Sequence, residues 1–257
     1  MKKTTAQQKY AWLPEPPMDV SAHYSLGNYE FSRVSAQIAK KYLDREANLK
    51  RAWTRICTHM PETTTSHAPL DILEFSTAHG AMLELWRALG HNAVGTDYCV
   101  PEEYRRTYKK LSPDAAVFET EHNQPLADVK PGWVYQPIIE SLGCDVRLFN
   151  ARETPYPFED KSFDYVCCYQ AIEAYADPAD WARIVDEFCR IARRAVVIGF
   201  NPPPLRADDR QGWDATTEAW EKLRRYKRNG FSNVFFEFEE TNRGYHPSAC
   251  KLIFDAS

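Results

Sequence analysis

Seven consecutive residues, Glu74-Phe75-Ser76-Thr77-Ala78-His79-Gly80, join the end of one apolar run to the start of another. The first run, Asp71-Ile72-Leu73-Glu74-Phe75, reads as a short strand. In the second, Met82, Leu85, Trp86 and Leu89 recur at i, i+3, i+4 and i+7, a helix face that Gly90 stops. A strand that turns directly into a helix aims the helix's first amides beyond the strand end, where polar ligands are received. A second strand, Ala93-Val94-Gly95-Thr96, ends at Asp97, 23 residues after Glu74. A carboxylate in that place can accept two hydrogen bonds from a ribose diol.

The elements that must position these residues follow along the chain. Residues 1–22 are polar and then proline-rich, an irregular arm. Phe31, Val34, Ile38, Tyr42, Leu49, Trp53 and Ile56 form an apolar stripe, one long amphipathic helix or two short ones. Pro61–Pro69 is a linker by composition. Pro101–Leu111 is a polar helical stretch, and Trp133–Leu142 an apolar piece. Further strands are expected at Asp145–Phe149, Phe163–Tyr169 and Ala195–Phe200. Asp177-Pro178 supplies an N-cap and a first-turn proline for a helix that buries Trp181, Ile184, Val185, Phe188 and Cys189. Another helix spans Trp213–Asn229 and closes at Gly230. The last two strands, Ser232–Glu239 and Lys251–Phe254, are too closely joined for a crossover and should be antiparallel. The class is therefore α/β: a doubly wound, Rossmann-like, mostly parallel sheet of seven strands with an antiparallel last strand, preceded by an N-terminal helical extension. Residues 1–60 form the arm and helical lid, and residues 68–257 the α/β domain.

Composition removes other classes. With 32 basic and 36 acidic residues the net charge is −4, so no nucleic-acid partner is expected. No apolar run approaches the ~20 residues of a membrane-spanning helix. The basic start lacks the apolar core of a secretory signal. The seven cysteines (Cys57, Cys99, Cys144, Cys167, Cys168, Cys189 and Cys250) include no C-x-x-C, and a reducing, cytoplasmic compartment fits them. Cys167 and Cys168 read as two buried thiols on opposite faces of one strand. Glycine is scarce: ten residues, about 4%, against a usual ~7%.

The segment Glu74–Gly80 resembles the first motif of the class I S-adenosylmethionine-dependent methyltransferases, an acid followed by glycines at alternate positions. It keeps the acid and the last glycine, while Ser76 and Ala78 stand for the other two. The ribose acid of the family maps to Asp97. Residues 150–166, from Asn150-Ala151-Arg152 to Ser162-Phe163-Asp164-Tyr165-Val166, look like the family's D-A-x-x-L-P-F…S-F-D-x-V segment, with Asn150 for the acid. The resemblance covers roughly residues 70–255. It implies the cofactor S-adenosyl-L-methionine, held by Glu74, Ser76, Ala78, Gly80, Asp97, Asn150, Ala151, Arg152 and Gln170. Ala174 stands where many relatives carry histidine.

Methyl transfer from a sulfonium is an in-line displacement that needs alignment and, for a protonated acceptor, a base. No fixed triad is expected. Tyr169, Glu173 and His246 are the catalytic candidates, and Tyr24, Tyr29, Asn201 and Tyr245 the substrate-binding ones. If the sixth strand runs parallel to the others, the turn after it brings Tyr245 and His246 to the ligand side. His79 is a turn residue or a site residue. Asn201-Pro202-Pro203-Pro204 is a proline-stiffened loop rather than an amino-methyltransferase [D/N]-P-P-aromatic motif, because Pro204 is not aromatic. The expected acceptor is a small molecule. The competing expectation is a methyltransferase fold that has lost its cofactor and serves as a structural or regulatory partner, motivated by Ser76 and Ala78. A nicotinamide oxidoreductase needs G-x-G-x-x-G after the first strand, which residues 76–81 lack.

Overall fold

The computed structural model describes residues 13–25, 43–98, 135–203, 208–241 and 244–255. Its centre is a single sheet. The strands are β1 (Asp71–Phe75), β2 (Asn92–Asp97), β3 (Asp145–Leu148), β4 (Phe163–Tyr169), β5 (Ala192–Gly199), β6 (Lys227–Arg228), β7 (Phe231–Thr241) and β8 (Gly244–Phe254). Their order is β3-β2-β1-β4-β5-β8-β7-β6. β1 to β5 are parallel neighbours, whereas β8 is antiparallel to both β5 and β7. β7 therefore points the same way as β1 to β5, and its carboxyl end lies on their ligand side. The order reverses between β1 and β4, which opens a crevice beyond the carboxyl ends of these two strands.

The helices are α1 (Arg45–His59), α2 (Glu62–Thr65), α3 (Ala81–Ala88), α4 (Gln136–Leu142), α5 (Ile172–Tyr175), α6 (Trp181–Ile191) and α7 (Arg210–Arg224). They cover both faces. One face packs Ile72, Cys167 and Val197 against α1 and α3 through Leu49, Trp53, Ile56, Met82 and Trp86. The other packs Phe75, Cys168 and Ile198 against α6 and α7 through Ile184, Phe188, Trp220 and Leu223. Every residue of β4 is buried, as a central parallel strand requires. Alternation sends Cys167 to one core and Cys168 to the other. Six cysteines are free thiols among the described residues, and Cys99 lies outside them.

α1 begins at Asp44, whose carboxylate accepts the Ala47 amide at 3.1 Å. The arm lies along α1: Trp53 Nε1 donates to the Pro14 carbonyl at 2.6 Å, and Arg45 donates to the Ala22 carbonyl at 2.8 Å while pairing with Glu84. No helix among the described residues is long and apolar enough to cross a membrane.

Several boundaries differ from the sequence expectation. Pro61–Pro69 contains the short helix α2. A 3-10 turn, Pro178–Asp180, precedes α6, and Asp177 makes no side-chain capping bond there. The last helix ends at Arg224 instead of running to Asn229. Asn229 and Gly230, at φ 54° and 75°, form the two-residue turn joining β6 to β7. Two positive φ values are what a type I′ hairpin demands, and Asn-Gly supplies them. Asp186 on α6 holds this turn by accepting from Tyr226 Oη at 2.7 Å and Asn229 Nδ2 at 3.1 Å. β6 makes the sheet eight strands wide. The apolar piece Trp133–Leu142 is represented by α4, while Pro101–Leu111 lies outside the described residues.

Candidate active site

The loop between β1 and α3 is fixed by its own backbone. Thr77 N–H donates to the Thr96 carbonyl at 2.9 Å, and Thr77 Oγ1 donates to the Glu74 carbonyl at 3.1 Å. Gly95 on β2 leaves room for that threonine: a Cβ there would fall 2.3 Å from Thr77 Oγ1. Ser76, Ala78 and Gly80 have φ of 56°, 51° and 73°. The loop thus takes the left-handed conformation at every second residue. Asp97, at the end of β2, accepts the Ala78 amide at 3.0 Å and the Tyr98 amide at 2.7 Å.

A left-handed L-residue costs roughly 1–2 kcal/mol, part of which glycine would return as chain entropy. Ser76→Gly and Ala78→Gly are therefore each expected to stabilise the fold by about 0.5–1 kcal/mol. Urea unfolding checks this as a higher midpoint at unchanged slope. A lower midpoint would mean that the serine or alanine side chain contributes packing that outweighs its strain.

Beside this loop, α1, β4 and β7 bring together groups distant in sequence. Glu74 is 6% exposed, and its Oε2 has no hydrogen-bond partner. Burial pushes its carboxyl up to about 8, against the pull of the Arg55 guanidinium. Arg55 donates to Gln170 Oε1 and lies over the Tyr169 ring, 4.9 Å from its centroid. Gln170 directly follows β4 at φ 53°, and its amide donates to the Gly199 carbonyl at 2.8 Å. Tyr169 packs so closely on Gly199 that a Cβ there would lie 2.3 Å from the ring. Its hydroxyl meets His59 Nδ1 at 2.8 Å, and His59 Nε2 meets Glu237 Oε2 at 3.2 Å. Ser248 Oγ donates to the same glutamate oxygen at 2.8 Å. Burial raises the Tyr169 phenol well above its ordinary range, so it stays protonated.

The remaining sequence candidates occupy different surroundings. Asn150, past the end of β3, accepts the Arg152 amide at 3.1 Å and donates to Glu153 at 3.0 Å. The Ala151 carbonyl accepts from Tyr156 Oη at 2.8 Å. Arg152 lies 4.0 Å from Asp177, both well exposed. Glu173 accepts the Asn201 amide at 2.7 Å, tying α5 to the end of β5, and burial raises its carboxyl to about 7. Tyr245 is 69% exposed and stacks on Phe238 at 5.0 Å. His246 does not face a crevice: it is buried, stacks on Trp220, and bonds Thr241 Oγ1 and the Pro247 carbonyl through its two nitrogens. Tyr24 is partly buried near Arg45, Asn48 and Glu84, its phenol pushed up to about 12 by burial. Tyr29 lies outside the described residues. His79 stays in the turn, its Nδ1 3.4 Å from the Ala81 amide.

Arg55, His59 and Glu237 are candidate site residues that sequence reasoning passed over. One signal was available. Arg55 and His59 are four apart and bracket Ile56 on the apolar stripe, so two polar groups share a turn facing the sheet.

Residues 43–236 match the model of a family described as a methyltransferase domain. The match spans most of the chain, and the protein belongs to that family. No curated protein sequence matches it. Solved structures similar to it include magnesium protoporphyrin IX methyltransferase from Synechocystis PCC 6803 with bound SAH, at 11% identity and TM-score 0.47, covering 88% of this chain and 89% of that one. A SAM-dependent methyltransferase from Methanosarcina mazei is similar at 15% identity and TM-score 0.43, covering 76% and 94%. Another from Aquifex aeolicus is similar at 14% identity and TM-score 0.41, covering 81% and 97%.

Proposed function

We propose that the chain is an S-adenosylmethionine-dependent methyltransferase acting on a small-molecule acceptor. The observation that carries this reading is the left-handed backbone at Ser76, Ala78 and Gly80, anchored to Asp97. The two absent glycines have left their conformation behind. The rival reading, a fold retired from cofactor binding, loses its motive to that extent.

The residues present fit the cofactor. Asp97, at the end of β2 beside the loop, is the carboxylate that would accept a ribose diol in this reading. Asn150, Ala151 and Arg152 flank the adenine in this reading. Glu74, with its orphaned oxygen, and the Arg55 guanidinium, with its Gln170 partner, stand where an amino-acid head would dock. Bound there, S-adenosylmethionine supplies an electrophilic methyl group on a sulfonium sulfur.

Arg55 and His59 reach the strand ends from α1, which supports reading the segment before residue 60 as the lid over the α/β domain of residues 68–257. Tyr169, held neutral against His59, positions the acceptor. Glu173 takes its proton. With a carboxyl near 7, turnover at saturating cofactor is expected to rise as pH climbs through about 7, and Glu173→Gln to lose that rise. Initial rates of labelled-methyl transfer across pH 6–9 check this, and an unchanged profile in the variant would move the base elsewhere.

Mass spectrometry of the acid-extracted, freshly purified protein tests the function itself. The expected extract contains S-adenosylmethionine or S-adenosylhomocysteine near the protein's molar amount. A nicotinamide or flavin nucleotide in its place would overturn the reading.

A further inference from the structure

α1, β4, β7 and β8 meet around the Tyr169 hydroxyl. His59, the last residue of α1, joins the hydroxyl through Nδ1 at 2.8 Å. Its other ring nitrogen, Nε2, lies 3.2 Å from Glu237 Oε2 on β7. Ser248 on β8 donates its hydroxyl to that same oxygen at 2.8 Å, which fixes the carboxylate in place. The rings are held as well. Tyr169 fills the space over Gly199, the His59 ring stacks along it at 5.7 Å and 19°, and Phe235 lies 5.9 Å from the His59 centroid.

The direction of each hydrogen bond in this chain follows from the groups that make it. A carboxylate only accepts, so Glu237 takes the hydrogen of His59 Nε2. A neutral imidazole that donates from one nitrogen accepts at the other. Nδ1 therefore accepts, and its donor is the Tyr169 hydroxyl. That phenol is protonated, because burial raises it well above its ordinary range. It has one hydrogen, and His59 takes it. What the phenol oxygen still offers is a lone pair, and among the described residues no second hydrogen bond uses it.

We propose that His59 and Glu237 are positioning residues that turn the Tyr169 hydrogen toward α1, so that the phenol oxygen receives a hydrogen from the methyl acceptor, and that this acceptor is an amine. The second half rests on the methyltransferase reading above, in which Tyr169 positions the acceptor and Glu173 takes its proton. A hydroxyl has one hydrogen and cannot serve both groups. A protonated amine has enough: one N–H points at Tyr169 and another gives its proton to Glu173. A carboxylate or thiolate has none to offer and would meet the phenol's lone pair instead. In the transfer the N–H bond facing Glu173 breaks and its electron pair stays on nitrogen. That pair forms the N–CH3 bond while the S–CH3 bond breaks. The electrons of the broken bond remain on sulfur, leaving S-adenosylhomocysteine and an N-methylated ammonium.

Nitrogen NMR of the histidine-labelled protein at pH 8 reads the hydrogen placement without any substrate. The His59 signals are those lost in His59→Asn. The expected ring carries its hydrogen on Nε2 and none on Nδ1, and Tyr169→Phe should shift the Nδ1 signal alone. A His59 ring with a hydrogen on Nδ1 would overturn the proposal. The acceptor class is read with methyl-labelled S-adenosylmethionine and a deproteinised cell extract, the label being located by mass spectrometry. Label on an amine nitrogen is expected. Label on a hydroxyl, a carboxylate or a sulfur would overturn the proposal and leave the methyltransferase reading intact. No labelled product at all would remove that reading, and the amine with it. With the labelled amine as substrate, His59→Leu should lower kcat about tenfold at unchanged KM for the cofactor, the effect of one lost neutral hydrogen bond. His59→Asn, whose side-chain oxygen can take the place of Nδ1, should recover most of that loss. Equal losses in the two variants would make His59 a packing residue and overturn its role.

Discussion

Replacing Asp97 with alanine is expected to weaken S-adenosylhomocysteine binding at least 100-fold. Two losses add. The carboxylate would no longer accept the ribose hydroxyls, and hydrogen bonds to a charged group contribute about 1.5–3 kcal/mol each. The Ala78 amide would also lose its acceptor, at 3.0 Å in the free protein. That amide lies between two left-handed residues, Ser76 and Gly80, so releasing it lets the loop relax away from the bound conformation. Asp97→Asn separates the two effects. The asparagine oxygen can still accept from Ala78, so the loop should hold while the charge-assisted bonds weaken. Isothermal calorimetry measures both variants. Equal affinities for wild type and Asp97→Ala would place the ribose elsewhere.

The second large effect concerns stability. Glu74→Gln is expected to make the free protein more stable by roughly 3 kcal/mol at pH 7. The sign follows from linkage. The acid titrates at about 8 when folded, against an ordinary value of 4.5. The folded state therefore binds more protons than the unfolded chain between these values, and wild-type stability falls as pH rises from 4.5 to about 8. Glutamine is neutral throughout and escapes this loss. The gap between variant and wild type should be near zero at pH 4.5, grow with pH and become constant above about 8. Urea titrations at pH 5, 7 and 8.5 test it. A gap that does not change with pH would mean that Glu74 is ionised in the folded protein. Such a carboxyl is a stability cost maintained where a ligand is to bind, a common trade at functional sites.

Much of the fold is legible in the residues. β1, β2 and β4 are compact apolar runs bounded by polar turns, and Met82, Leu85 and Trp86 declare the face of α3 without ambiguity. The hairpin β7–β8 is longer than expected chiefly in β8, which starts at Gly244 rather than Lys251, because Gly244, Pro247 and Ser248 read as turn residues. The end of α7 departs from expectation for a different reason. Asn229-Gly230 suits a helix stop and a type I′ turn equally well, and only pairing with Phe231 and Ser232 decides between them.

The site divides along the same line. Glu74, the loop and Asp97 belong to one strand–helix–strand unit, so their spacing reveals them. Arg55, His59 and Glu237 do not. His59 and Glu237 are 178 positions apart, and His59 and Tyr169 are 110 apart. Such meetings depend on how α1 crosses the sheet, which no local pattern encodes. His246 shows the converse. Topology carries it to the ligand side of β7, but Trp220, Thr241 and the Pro247 carbonyl absorb it. The scarcity of glycine has an address in the loop as well: Ser76 and Ala78 hold the conformation that glycine would hold more cheaply.

The central claim is that a methyltransferase loop without two of its glycines still receives the cofactor. Calorimetric titration of the wild-type chain with S-adenosylhomocysteine at pH 8 tests it most directly. The account predicts saturable one-to-one binding in the micromolar range, weakened at least 100-fold in Asp97→Ala. A protein folded by circular dichroism that gives no binding heat at millimolar ligand, in buffers of differing ionisation enthalpy, would contradict it.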